Sequence, residues 1–174
     1  MRPLAVINSL ETAGVPYGRC GEQLLSYAAF ATSHFPDIRS PRLGNSMALT
    51  PSTMIEVKRA KGKGRGVYAR VFIPEGTVFE RAPLLVMPAR EALSEDSHVL
   101  PAYVFEYGKN KVALALGFGS LYNHSYQPNA RYDDATGQVK EYRALRDIQA
   151  GEEITINYNG AEDVMDPVEF NVVE

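Results

Sequence analysis

The stretch Gly117-Phe118-Gly119-Ser120-Leu121-Tyr122-Asn123-His124-Ser125-Tyr126-Gln127-Pro128-Asn129-Ala130 decides how this chain is read. It follows the apolar run Val112-Ala113-Leu114-Ala115-Leu116, which has the length and composition of a buried strand. An ordinary turn after such a strand needs little more than Gly, Ser or Asp. Here Gly117 and Gly119 permit a sharp bend and a close backbone approach. Asn123, His124 and Asn129 then set donors and acceptors beside an apolar layer. Taken alone, the stretch fits a loop with satisfied polar side chains as well as it fits a binding site.

Outward from it the chain is built of short strands. Upstream, Tyr103–Tyr107 and Val112–Leu116 can pair across Gly108-Lys109-Asn110, which is hairpin chemistry. Met54–Val57, Val67–Phe72, Thr77–Glu80 and Leu84–Met87 are further strand candidates. Ile73-Pro74-Glu75-Gly76 is a turn among them, and Pro88–Leu93 forms a short helix with proline near its first turn. Downstream, Val139–Leu145 and Glu153–Tyr158 are strands, with Ala150-Gly151 in the turn between them. The expected class is mainly β, with short helices and no internal repeat.

Composition narrows the function. The chain has 174 residues, 45% hydrophobic and 22% charged, as expected of one soluble domain with an appendage. Its longest apolar runs are about five residues, against the roughly 18 needed to span a bilayer. The single cysteine, Cys20, excludes an internal disulfide framework and a multi-cysteine zinc site. The histidines, His34, His98 and His124, have no metal-ligand spacing. No metal is expected, and the setting is read as intracellular, nucleus or cytoplasm. Six basic residues and no acid lie between Lys58 and Arg70; seven acids and no Lys or Arg lie between Glu152 and Glu174. The acidic end suits a basic partner and repels nucleic-acid phosphate.

Residues 1–52 form an N-terminal extension of different character. They carry arginines but no lysine, and Gly21–His34 has the apolar spacing of a helix. The Arg and Ser content leans toward an organelle transit peptide, and Glu11, Glu22 and Asp37 lean away from one. Residues 53–160 hold the strands, and residues 161–174 form a short acidic tail.

Two further stretches bear on chemistry. Lys61-Gly62-Lys63-Gly64-Arg65-Gly66-Val67 is a glycine-rich loop between strands, able to expose backbone N–H groups but without Walker spacing or a following helix. Ala150-Gly151-Glu152-Glu153-Ile154-Thr155-Ile156-Asn157-Tyr158 alternates so that Ile154, Ile156 and Tyr158 share one face. Alone, Tyr158 reads as a tyrosine capping a core.

Together and in this order, the three stretches resemble the SET family of protein-lysine methyltransferases over about Met54–Gly160. Residues 113–130 are similar to the minimal viral members. The resemblance implies a SET β-clip-like fold of small sheets, with the C-terminal segment forming a pseudoknot around the Asn-His stretch. It implies S-adenosylmethionine as cofactor, bound by Lys63, Gly64, Arg65, Gly66, Asn123 and His124. It implies a catalytic tyrosine at Tyr158, a lysine channel lined by Tyr103, and at Tyr132 a substrate-side position that influences how many methyl groups are added. The partner it implies is a lysine-bearing protein or peptide, a histone tail among them, and the viral members suggest a homodimer. No membrane and no direct nucleic-acid contact are expected.

Elementary chemistry agrees with these roles. Methyl transfer from a sulfonium to an amine needs a neutral amine, and lysine near its ordinary pKa of about 10.4 is mostly protonated. An apolar, aromatic-lined channel disfavours the charged form. Alignment and one hydrogen bond then do most of what remains. The chain departs from many family members in lacking cysteines after Tyr158, so Phe170 is expected to close the channel that a zinc cluster closes elsewhere. A non-catalytic peptide-binding module is the alternative reading, with a nucleic-acid-binding β domain behind it.

Overall fold

The computed structural model describes residues 49–94 and 99–173. All but the last four residues of the N-terminal extension, including the helix expected over Gly21–His34, lie outside the described residues. Nine strands occur among those described: β1 (Ile55–Ala60), β2 (Gly64–Ala69), β3 (Val78–Pro88), β4 (Val104–Glu106), β5 (Lys111–Ala115), β6 (Asn123–His124), β7 (Ala130–Ala135), β8 (Val139–Ala144) and β9 (Glu153–Ile156). One helical turn, α1 (Ala89–Ala92), follows β3, and a 3-10 turn spans Leu100–Ala102. The strands form a four-stranded sheet ordered β1-β2-β9-β6 and a five-stranded sheet ordered β4-β5-β3-β8-β7.

Several details differ from the sequence expectations. The glycine stretch is less open than a loop. Lys61–Lys63 make the turn and Gly64–Val67 already belong to β2, paired with β1 from Ala60↔Gly64 to Ile55↔Ala69. β2 ends at Ala69 rather than Phe72. Val71 and Phe72 are about half exposed, and Ile73 re-enters the core against Ile148.

The two strands expected over 77–87 are one. Val78–Pro83 pair with β8 and Leu84–Pro88 with β5, so Pro83, which has no N–H to donate, stands where the ladder changes partner. β7 was not expected at all. The outward Arg131 and Asp133, and Asp134, which follows Tyr132 on the inner face to meet Lys140, hide the alternation that buries Ala130 and Tyr132. The hairpin joining β7 to β8 takes positive φ at Gly137 and Gln138.

The strand pair that matters most is β6 with β9. It is parallel, with Asn123↔Thr155 and His124↔Ile156 in register. Asn129 locks it from the side. Its amide donates to the Glu153 carbonyl at 2.8 Å, and its Oδ1 accepts the Thr155 N–H at 2.9 Å, as a neighbouring strand would. Ile154 and Ile156 face inward with Val67, Ile73, Ile148 and Tyr142, all fully buried.

A buried cation lies against these layers, on Lys140. Lys140 Nζ is 2.6 Å from Asp134 Oδ1 and sits 4.5 Å and 4.7 Å from the ring centres of Tyr132 and Phe105. Burial pulls its pKa below the ordinary lysine value, and Asp134 opposes the shift. The folded chain therefore holds this proton less tightly than the unfolded chain. The resulting cost is present below the folded pKa and relieved as pH rises toward the ordinary value of 10.5. Replacing a buried ion pair by an apolar group of similar shape is often neutral or stabilising, whereas truncating a long buried side chain leaves a cavity. We expect Lys140→Met to melt no lower than wild type at neutral pH, and Lys140→Ala to lose about 2–5 kcal/mol. Thermal melts check this, and equal losses in the two variants would mean that the pair is net stabilising.

Candidate active site

The polar end of the candidate site is built around Gly66. A Cβ there would lie 2.6 Å from Glu153 Oε1 and 2.8 Å from Asn123 Nδ2. The missing side chain lets Asn123 reach across β2, where its amide donates to the Arg65 carbonyl at 2.9 Å and to Glu153 Oε1 at 2.7 Å. Lys63 Nζ completes the group, 3.4 Å from Glu153 Oε2. Gly64 serves differently: its φ of +80° suits the backbone after the turn, and nothing crowds it. Lys63, Gly64, Arg65, Gly66 and Asn123 are thus gathered at one place. Glu153 joins them, and the sequence reading had treated it only as part of a strand. A cation, a carboxylate and an amide side by side complement a ligand carrying both an ammonium and a carboxylate.

His124, the other half of the Asn-His pair, faces the opposite side. Its Nδ1 accepts the Tyr158 N–H at 3.1 Å, so the neutral ring carries its proton on Nε2. Its ring meets Tyr126, Tyr158 and Phe170 at centroid distances of 4.5, 5.2 and 6.0 Å. Phe170 also stands edge-on to Tyr158 at 6.1 Å. The segment carrying Phe170 is strapped down before it arrives. The Tyr126 hydroxyl donates to the Asp166 carbonyl and accepts the Val168 N–H, both at 3.2 Å. The Asn157 and Asn159 amides donate to the Val164 and Asp166 carbonyls at 2.7 and 2.9 Å.

Tyr158 lies at the centre. Its hydroxyl donates to the Tyr122 carbonyl at 2.7 Å, and it shares a narrow cleft with Tyr103, Phe105, Ser120 and Tyr122. Burial, then the neighbouring Tyr103, Tyr132 and Glu153, push its phenol well above the ordinary value of 10, so the group stays protonated. Tyr103 is fixed at two points. Its carbonyl accepts the Ser120 hydroxyl at 2.7 Å, and its own hydroxyl accepts from Arg65 at 3.4 Å, which ties the cleft to the glycine hairpin. Tyr132 stands one layer behind, edge-on to Phe105 at 5.3 Å.

Tyr122 and Glu80 escaped the sequence reading as site residues. The Tyr122 ring stacks on Tyr142 at 4.5 Å, and its hydroxyl donates to Glu80 Oε2 at 2.6 Å. The signal open to sequence reading is an acid, Glu80, directly after the apolar pair Val78-Phe79.

Comparison with known proteins bears on this geometry. The SET domain family matches residues 64–159. The chain is 35% identical over 106 residues to a Schizosaccharomyces pombe protein named histone-lysine N-methyltransferase, H3 lysine-37 specific; the match covers 60% of this chain and 72% of that one. A crystal structure of a candidate histone methyltransferase from Plasmodium falciparum is similar at 30% identity with a TM-score of 0.53, covering 63% of this chain and 95% of that one.

Proposed function

This chain belongs to the SET-domain family of protein-lysine methyltransferases, and on that premise we propose that it methylates a histone lysine with S-adenosylmethionine as donor. The observation that carries the proposal is the Tyr158 hydroxyl, held on the Tyr122 carbonyl inside a cleft walled by Tyr103 and Phe105.

The polar cluster around Gly66 fits the cofactor's amino-acid end. Lys63 offers charge to a carboxylate, Glu153 offers charge to an ammonium, and Asn123 bridges strand and ligand. Gly66 leaves the space that a side chain would fill. His124 holds the Tyr158 backbone, and so couples the cofactor side of the site to the lysine side. When bound, the cofactor supplies an electrophilic methyl group on a sulfonium.

The protein's own part is alignment. The cleft desolvates a lysine amine and disfavours its charged form. Tyr158 spends its proton on the Tyr122 carbonyl, so its oxygen lone pairs face the incoming amine as acceptors. Because the phenol stays protonated, Tyr158 orients the amine and removes no proton from it. The substrate must reach this cleft near a tail bearing Glu162, Asp163, Asp166 and Glu169, which favours a basic peptide. Histone H3 is the first substrate to try, since the fission-yeast relative is named for it.

The test is transfer of radiolabelled methyl to purified core histones and to a total cell extract. Label on a histone band supports the reading. Label confined to a non-histone band would keep the enzyme and overturn the substrate.

Phe170 acts as the lid of the lysine side in this proposal. Each of its two edge-on ring contacts is worth about 0.5–1.5 kcal/mol. Phe170→Ala should therefore lower kcat/KM for peptide about tenfold or more and leave cofactor affinity nearly unchanged. Steady-state kinetics with varied peptide check this, and an unchanged kcat/KM would remove Phe170 from the site.

A further inference from the structure

The Tyr158 hydroxyl is only as well placed as the carbonyl that holds it. That carbonyl belongs to Tyr122, and the tyrosine is fixed from two directions. Its ring lies flat on Tyr142, and its hydroxyl donates to Glu80 Oε2 at 2.6 Å. The other carboxylate oxygen, Oε1, accepts the Phe118 N–H at 2.8 Å and so pins the turn from which the Tyr122 segment leaves. Gly117 is shaped to admit it: a Cβ there would lie 2.9 Å from Oε1, and its φ of +66° disfavours any side chain.

Glu80 is buried, and no Lys, Arg or His pairs with it among the described residues. A carboxylate in such a place is costly unless its hydrogen bonds repay it. Burial raises its pKa, against the opposing pull of Tyr122 and Phe118. Nothing in the strand pairing of β3 requires an acid at this position. The two groups it does bind, Phe118 N–H and Tyr122 hydroxyl, bracket the segment whose carbonyl holds Tyr158.

We propose that Glu80 is a positioning residue for methyl transfer, acting through Tyr122 to fix the carbonyl on which the Tyr158 hydroxyl is held. The inference rests on the catalytic reading of Tyr158. It makes Glu80 a determinant of turnover, although it touches neither cofactor nor substrate.

The experiment is a double-mutant cycle between Glu80→Gln and Tyr158→Phe, run on the full chain. Glutamine keeps the shape but can accept only one of the two hydrogen bonds, so kcat should fall about tenfold with KM for both substrates nearly unchanged. If Glu80 works through Tyr158, the double variant is no slower than Tyr158→Phe alone. Additive losses, or a Glu80→Gln protein with wild-type kcat, would overturn the proposal. A Tyr158→Phe protein with full turnover would instead overturn the reading beneath it.

A second readout needs no turnover. In protein labelled at tyrosine Cζ, the carbon resonances assigned to Tyr122 and Tyr158 by their Phe variants should both move in Glu80→Gln. Movement of Tyr122 alone would overturn the coupling. If Glu80→Gln fails to fold, Tyr122→Phe enters the same cycle, with the same non-additivity expected and the same additive outcome fatal.

Discussion

Tyr158→Phe should lose about 10²–10³-fold in turnover, the scale set by removing one oriented hydrogen-bonding group from a transition state, while binding cofactor at close to wild-type affinity. The two effects separate because the ring and the hydroxyl have different neighbours. The ring is packed against His124 and Phe170, and phenylalanine preserves that packing. The backbone N–H still donates to His124 Nδ1. Only the hydroxyl goes, and with it the oxygen that the Tyr122 carbonyl aims into the cleft. Single-turnover methyl transfer together with calorimetric cofactor titration measures both quantities, and unchanged turnover would remove Tyr158 from the chemistry. The pH profile adds a sign. Since the phenol titrates above its ordinary value of 10, no downward limb belonging to Tyr158 should appear below pH 10. Any rise in rate with pH comes from the substrate amine losing its proton.

Gly66→Ala should have the largest effect on cofactor affinity, weakening it about a hundredfold or more, the cost of losing two or three hydrogen bonds. The new methyl would overlap Glu153 Oε1 and Asn123 Nδ2. Both are ends of side chains and can swing aside, so the chain still folds. Overpacking of this kind costs about 1–3 kcal/mol. The displaced Asn123 can no longer bond the Arg65 carbonyl, and the cluster that would hold the cofactor's amino-acid end comes apart. Gly137→Ala, in the β7–β8 hairpin outside that cluster, is the control. It pays about 1–2 kcal/mol for a left-handed backbone but crowds nothing, so melting temperature falls while affinity changes little. Equal affinities in the two variants would show that Gly66 has no special part in the cofactor site.

Much of this arrangement could be read from the residues. The hairpin across Gly108-Lys109-Asn110 forms as its turn chemistry dictates, with positive φ at Gly108 and Asn110. The inward face Ile154, Ile156, Tyr158 follows from alternation. The order of three motifs gave the family, which the match over residues 64–159 shows. β7 was hidden because its exposed face carries more charge than its buried face carries carbon. The joining of two expected strands into β3 was hidden because proline ordinarily argues for an interruption, and here it marks a change of partner instead. Glu80 was invisible for a deeper reason. The groups it binds are 38 and 42 positions away, and only the folded chain brings them to it. Glu153 reads in the sequence only as part of a strand, and its place beside Asn123 exists only once β6 lies beside β9.

The parallel pairing of β6 with β9 also governs when the enzyme comes into being. Asn123 and His124 meet partners more than 30 positions further along the chain, and β9 itself adds to the far side of the β1–β2 hairpin. Contacts of such long sequence separation close late and slowly, because the loop entropy must be spent before they return anything. β9 is also synthesised after the other eight strands among the described residues. A nascent or interrupted chain can therefore fold its early hairpins and still have no Tyr158 beside Tyr122, no Glu153 beside Asn123 and nothing to join the two ends of the site. On the proposed roles of Tyr158 and Glu153, a chain broken off before β9 should be inert rather than partly active.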